Sequence, residues 1–214
     1  MSSRFNRKKS TLKEKKKIVI LTEGTETEPN YFTSKSKEIE ESIRRKGIKI
    51  EIKGKAFNTL SLVDYAISYI EKEGIDLSID DCWVVFDKDS FDKAGGRNRF
   101  DDAINKAKAN NIKVAYSNES FELWFLLHFI PLDVAISRKE YNSKLTEHLK
   151  KITSNKVEKY CKEMNIYSLI CNKESSAIRN AKRLINQYMG NVSFSSKNPS
   201  TTVHLLIEAL NKFK

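Results

Sequence analysis

The sequence predicts an α/β fold, a mostly parallel sheet flanked by helices and followed by an all-helical C-terminal extension. Three observations carry this reading. From residue 17 to residue 130, strand-like and helix-like segments alternate. The strand-like runs are short and rich in β-branched residues, as in a sheet covered by helices. After Pro131 only helix-period patterns remain.

The elements follow in order. Lys17–Thr22 is a short apolar run bounded by Glu-Gly and reads as a buried strand. Thr27 or Glu28 opens a helix, because the proline that follows, Pro29, is tolerated only in a first turn. That helix runs through "NYFTSKSKEIEESIRRKG" to Gly47. "IKIEIKGK" alternates strictly and reads as an edge strand with one polar face. "SLVDYAISYIEKEG" has helical spacing, with Ser61 as its cap. "CWVVFDKD" is the most strand-like stretch, "FDDAINKAKANN" a helix, "IKVAYSN" a strand and "SFELWFLLHF" an almost wholly apolar helix. Helices are then expected over 139–150, 155–164, 175–189 and 200–213. Gly95-Gly96-Arg97-Asn98 reads as a mobile loop. The organisation is thus a basic disordered arm over 1–16, an α/β core over 17–130 and a helical extension over 131–214.

Composition narrows the class. The chain has 214 residues, 39% hydrophobic and 31% charged, which suits a soluble globular protein with a sizeable core. No apolar run approaches the roughly 20 residues of a membrane helix, so no membrane partner is expected. The apolar stretch behind the basic N-terminus is too short for a signal peptide, and a cytoplasmic location is expected. Cys82, Cys161 and Cys171 are odd in number and have no CxxC spacing, which argues against disulfides and structural zinc. The net charge is +11, yet residues 1–17 hold eight Lys or Arg against Glu14, a net of +7. Lys8, Lys9, Lys15, Lys16 and Lys17 therefore form a candidate nucleic-acid arm that would bind phosphates without sequence preference. A solubilising tail explains the same charges.

Against this basic background, "IVILTEGTETEP" places Glu23, Glu26 and Glu28 within six residues. Ligands bind open parallel sheets at the carboxyl ends of their strands. The first strand ends there in Glu23, and the third ends in "VVFDKDSF" with Asp87 and Asp89. In extended chain, residues i and i+2 face the same way, so Asp87 and Asp89 share a face and Lys88 takes the other. If the two strands are neighbours, the three acids converge. Two carboxylates about 5 Å apart at an effective dielectric near 20 repel by roughly 3 kcal/mol. A divalent cation relieves that, and acidic, all-oxygen ligation suits Mg²⁺. Glu26 and Glu28 either support such a metal from behind or simply complement a helix N-terminus.

A Glu after the first strand and a DxD after the third resembles the TOPRIM arrangement of topoisomerases, primases and OLD-type nucleases. More closely, "ILTEGTETEPNYF", "WVVFDKDSF", "YSNESFELWFLLHF", "RNAKRLI" and "NPSTTVHLLIEAL" together resemble the RloB-like (AbiLii-like) family, over nearly the whole chain outside the basic arm. Near Glu119–Ser120 the chain departs from the family pattern, where Pro or Cys is common. Asn118, Glu122 and Trp124 remain. The resemblance implies a TOPRIM-type, metal-dependent nuclease of phage defence, found beside restriction-modification loci and often beside an AAA-type ATPase partner. On that reading Mg²⁺ or Mn²⁺ is held by Glu23, Asp87 and Asp89, and Glu23 holds metal or acts as general acid/base. The substrate is nucleic acid, RNA or DNA.

Further residues carry weaker patterns. Glu122 lies in an apolar helix and must find a partner. It is expected to be a general base or to support the metal with Asn118, or to form a structural ion pair with Lys or Arg. His128 and His204 read as satisfied core residues. Lys88 is a phosphate-binding candidate, as are Arg179, Lys182 and Arg183 on one helix face, and a solvated face explains the latter equally. No GxxxxGKS/T motif is present, which argues against ATP hydrolysis by this chain. The rival is a non-catalytic nucleic-acid- or ATPase-binding defence subunit with a structural metal. A haloacid-dehalogenase-type phosphatase ranks lower, because its DxD usually lies on the first strand.

Overall fold

A computed structural model describes residues 16–88, 99–188, 190 and 192–214. The basic arm with Lys8, Lys9 and Lys15, the loop containing Gly95 and Gly96, and Asp89 lie outside the described residues.

Five strands form one sheet in the order β2-β1-β3-β4-β5. They are β1 (Lys16–Thr22), β2 (Ile48–Gly54), β3 (Asp81–Asp87), β4 (Lys113–Asn118) and β5 (Ser200–Thr201). The first four are mutually parallel, and β5 is antiparallel to β4. The alternating strand β2 is an edge, as its one-sided pattern predicts.

Period-2 alternation sends neighbouring side chains to two separate cores. On one face Val19, Leu21, Val84 and Phe86 pack against α3 (Thr59–Glu73) and α4 (Arg99–Ala109). On the other, Ile18, Ile20, Trp83 and Val85 meet α1 (Thr27–Glu38), α2 (Glu40–Arg45) and α5 (Glu122–Leu126). That face also receives the C-terminal helices α6 (Arg138–Ile152), α7 (Tyr167–Ile170), α8 (Glu174–Asn186) and α9 (Val203–Asn211). Right-handed crossovers explain the split. The chain leaves β1 in one direction to reach β2, then crosses back over β1 to β3, so its connecting helices change faces.

The predicted elements need five adjustments. Asn58 rather than Ser61 caps α3, its Oδ1 accepting at 3.0 Å the N–H of Ser61, which lies within the first turn. The helix expected over 27–46 is two, parted at Ile39, whose buried side chain joins the core. The apolar helix after β4 is short, Glu122–Leu126, and continues as turns to Phe129. Residues 155–164 form no helix, because Ser154 and Asn155 take left-handed φ values of 52° and 64° and stop α6. The C-terminal part is not wholly helical, since Ser200 and Thr201 extend the sheet. Cys82, Cys161 and Cys171 are all free thiols.

Candidate functional site

The connection β1-to-β2 runs one way and β3-to-β4 the other, so the strand order reverses between β1 and β3. Ligands in open α/β sheets bind in the crevice at such a point. Glu23 and Asp87 stand at its mouth. Thr22 pairs with Val85, and the Glu23 N–H then donates to the Val85 carbonyl at 2.9 Å. Glu23 Oε2 in turn accepts the Asp87 N–H at 3.1 Å. The two strand-end acids thus meet as the sequence predicts.

A cleft of about 350 Å³ opens there, lined by the Glu23–Glu28 turn, Asp87, Phe121, Glu122, Arg138 and Lys162. Asp87 is partly exposed as a residue, but its Oδ1 is sealed from solvent and has no hydrogen-bond partner among the described residues. Its Oδ2 accepts the Phe121 N–H at 2.9 Å. Burial, reinforced by the charges of Glu28 and Glu122, holds the Asp87 carboxyl well above the ordinary carboxylate range, while Arg138 opposes the shift.

Glu28 is a central member of this group and also the acid in the first turn of α1, where it complements the helix N-terminus. It is buried, and burial raises its pKa with the Glu122 charge adding to the effect. Gly24 makes room for it, since a Cβ there would lie 2.3 Å from Glu28 Oε2. Glu26 lies at the same turn, is exposed, and caps α1 without a side-chain hydrogen bond.

Glu122 is buried, and its partners are hydroxyls rather than the Lys or Arg considered from sequence. Ser120 Oγ donates to Oε2 at 2.5 Å and the Tyr160 hydroxyl donates to Oε1 at 3.0 Å. Just before Ser120, Glu119 takes φ 95°, a conformation costly for a residue with a Cβ. This turn delivers both the Phe121 N–H and the Ser120 hydroxyl to the acids, and backbone strain concentrates at such places.

The other candidates lie elsewhere. The Asn118 amide donates to the carbonyls of Phe194, Ser195 and Lys197, at 3.3, 3.0 and 2.8 Å, and so anchors the segment before β5 rather than lining the cleft. The Lys88 N–H continues the β3–β4 pairing by donating to Ser117. Lys16 pairs with Asp81, Lys182 with Glu208 and Arg183 with Asp133, while Arg179 contacts Ser176. The Lys17 N–H donates to Asp80. None of these basic residues lines the cleft. His128 is a core residue whose Nδ1 lies 2.9 Å from the Trp124 carbonyl, and buried His204 contacts Thr201.

Arg138, Tyr160 and Lys162 were not legible as site residues. Ser137 and Glu140 form a capping box that marks the start of α6, but nothing in the sequence aims Arg138 back at the acids. Lys162 sits in the non-helical 155–164 segment, tied to α1 because its carbonyl accepts from Thr27 Oγ1 at 3.5 Å. Neither cation forms an ion pair among the described residues.

The donor chemistry, hard carboxylate oxygens with one buried and unsatisfied, suits a divalent cation of the Mg²⁺ class. Among the described residues no group of three or more His, Cys, Asp or Glu is placed so that it could hold a metal ion. Nor is any described helix long and apolar enough to cross a membrane.

No curated protein and no solved structure matches the chain. The family described as RloB-like protein matches residues 18–210, which include the cleft acids, the sheet and the C-terminal helices, and the chain belongs to that family.

Proposed function

We propose that this protein is a divalent-metal-dependent nuclease with a TOPRIM-like core that acts in phage defence. The observation that carries the reading is the gathering of Glu23, Glu28, Asp87 and Glu122 at the switch point, with the unsatisfied Asp87 Oδ1 among them and Arg138 and Lys162 beside them. Three or four facing carboxylates need a positive counter-charge, and a phosphodiester needs cations on its oxygens. Metal bound between the two meets both needs.

Asp87 and Glu23, with Asp89, would hold Mg²⁺ or Mn²⁺, and Glu28 would stand close behind. Such an ion activates water and stabilises charge on the phosphoryl oxygens. Arg138 and Lys162 would bind the phosphate and orient the scissile bond. Glu122, held by the Ser120 and Tyr160 hydroxyls, would accept a proton from the attacking water. Water oxygen adds to phosphorus, the P–O bond to the leaving nucleotide breaks, and the departing oxygen takes up a proton. Lys8, Lys9, Lys15 and the rest of the basic arm would add sequence-independent affinity, and an AAA-type ATPase would be the partner that controls access.

The test is a cleavage gel of purified protein with tRNA, single-stranded DNA and duplex DNA, in Mg²⁺, Mn²⁺ or EDTA. Products are expected in metal only, and Asp87→Asn or Asp89→Asn should abolish them with the fold intact. Salt-sensitive binding without products in either metal would overturn the nuclease reading in favour of a binding subunit. So would full activity of Asp87→Asn, or activity in EDTA.

A further inference from the structure

The C-terminal end of β2 abuts the acidic cleft. A Cβ on Gly54 would lie 2.7 Å from the Gly24 carbonyl oxygen and 2.8 Å from Thr25 Cα, so only glycine lets the strand end approach that turn. The next two residues are bonded to β1, with the Lys55 N–H donating to Thr22 at 3.0 Å and the Ala56 N–H to the Glu23 carbonyl at 2.9 Å. The segment after β2 is therefore fixed to the backbone of a cleft acid.

What that segment presents is unusual for a solvent-facing turn. Ala56 takes φ 51°, a left-handed conformation that L residues adopt at a cost. Phe57 follows and remains 38% exposed. Its ring lies 5.3 Å from that of Tyr65, which stacks at 5.7 Å on buried Tyr69. The Lys55 ammonium sits 4.3 Å from the Tyr65 ring centroid. Lys53 lies similarly over Tyr69, but it is committed to Glu51 and to the Tyr69 hydroxyl. Lys55 forms no ion pair among the described residues. The result is a row of three rings, Tyr65 stacked on Tyr69 and Phe57 tilted at 51° to Tyr65, closed at Tyr69 and open at Phe57, with a cation over Tyr65 that forms no ion pair among the described residues.

We propose that Phe57 and Tyr65, with Lys55, form a stacking platform for an unpaired nucleobase beside the cleft, so that the ligand is single-stranded or locally unpaired nucleic acid. As a statement about cleavage this rests on the nuclease reading, whereas as a statement about binding it stands alone. Every nucleobase has a π-face that stacks on an aromatic ring, and a nearby Lys meets the adjoining phosphate. In a duplex those faces are already covered by neighbouring bases, so the platform discriminates against paired strands.

Fluorescence anisotropy in EDTA tests this on the full chain. The probes are a labelled thymidylate strand of about 20 nucleotides, its duplex, and an abasic strand of equal length. The unmodified strand should bind wild-type protein more tightly than the abasic one. Phe57→Ala should weaken its binding about tenfold while leaving the abasic strand and the duplex unchanged, and Phe57→Trp should restore it. Lys55→Ala should lower the slope of log affinity against log salt by about 0.7 for the single strand. Phe57→Ala binding like wild type, or losing affinity equally for the abasic strand, would overturn the platform. Binding without Phe57 dependence, together with cleavage in metal, would remove this inference and leave the nuclease reading. Phe57-dependent binding without cleavage in any metal would do the reverse.

Discussion

Glu28 is buried against two other acids, Asp87 and Glu122, while its neighbour Gly24 is bare so that the carboxylate can fit. Burial and like charge raise the Glu28 and Asp87 carboxyls, so at pH values between the unfolded and folded pKa the folded protein holds protons there that the unfolded chain releases. The sign follows from linkage. Stability from these groups is present at acid pH and is lost as pH rises through their folded-state values. Glu28→Gln keeps the shape and removes one charge. In EDTA at neutral pH it should melt higher than wild type, by about 2–4 °C for each kcal/mol of repulsion relieved. The difference should shrink as pH falls toward the ordinary carboxylate range. Thermal melts across pH 4–8 check it (about the span over which native carboxylates and histidines titrate), and a lower melting temperature for Glu28→Gln at neutral pH would overturn the electrostatic account.

At the scale of elements, the short helix α5 and the turn after it connect the cleft to the core. Glu122 at its start faces the acids, and His128 beyond its end is sealed among apolar residues. Burial lowers the His128 pKa from 6.5 to about 4, so the ring is neutral in the folded protein and charged in the unfolded chain between those values. A depressed histidine stabilises above pH 6.5, and that contribution is lost as pH falls toward 4. Its full size is about 3 kcal/mol. His128→Gln cannot take up the proton, so the stability gap between wild type and variant should change by up to that amount over this window, in favour of the variant at acid pH. Denaturant unfolding of both proteins at matched pH measures the gap, and a constant gap would overturn the assignment. The α5 region also shows what the sequence conceals. The apolar run "FELWFLLHF" marks burial clearly, but Glu122 finds its partners through Ser120, placed by a strained turn, and Tyr160, from 38 residues away. No local pattern encodes a contact of that span.

For the molecule as a whole, the parallel sheet and the meeting of Glu23 with Asp87 were legible, because strands buried on both faces have a distinctive composition and their ends mark a site. The C-terminal part was less legible. Its 155–164 segment has helix-forming residues but is used as a strap carrying Tyr160 and Lys162, and β5 is only two residues long. The tie that fixes this part to the core was equally hidden, since it is made of charges in polar-looking helices. Lys35 of α1 is fully buried, with its ammonium 2.7 Å from Glu174 of α8 and 2.9 Å from Glu38. Asn211 of α9 donates to Glu174, Lys214 pairs with Glu38, and the Tyr167 hydroxyl of α7 donates to Glu38. One ammonium therefore gathers three helices, α7, α8 and α9, behind the cleft-bearing α1. Removing one partner of a buried pair leaves the other desolvated and uncompensated, at a cost of about 3–5 kcal/mol. Lys35→Met should fall near the lower end, because Lys214 stays 3.8 Å from Glu174. Expressed as melting temperature the loss is about 6–12 °C. Adding Glu174→Gln removes the stranded charge and should recover part of that loss, so the double variant should be more stable than the sum of the single changes predicts. Additive losses in this cycle would mean that the pair contributes nothing and that packing of the Lys35 stem alone holds the C-terminal helices against the sheet.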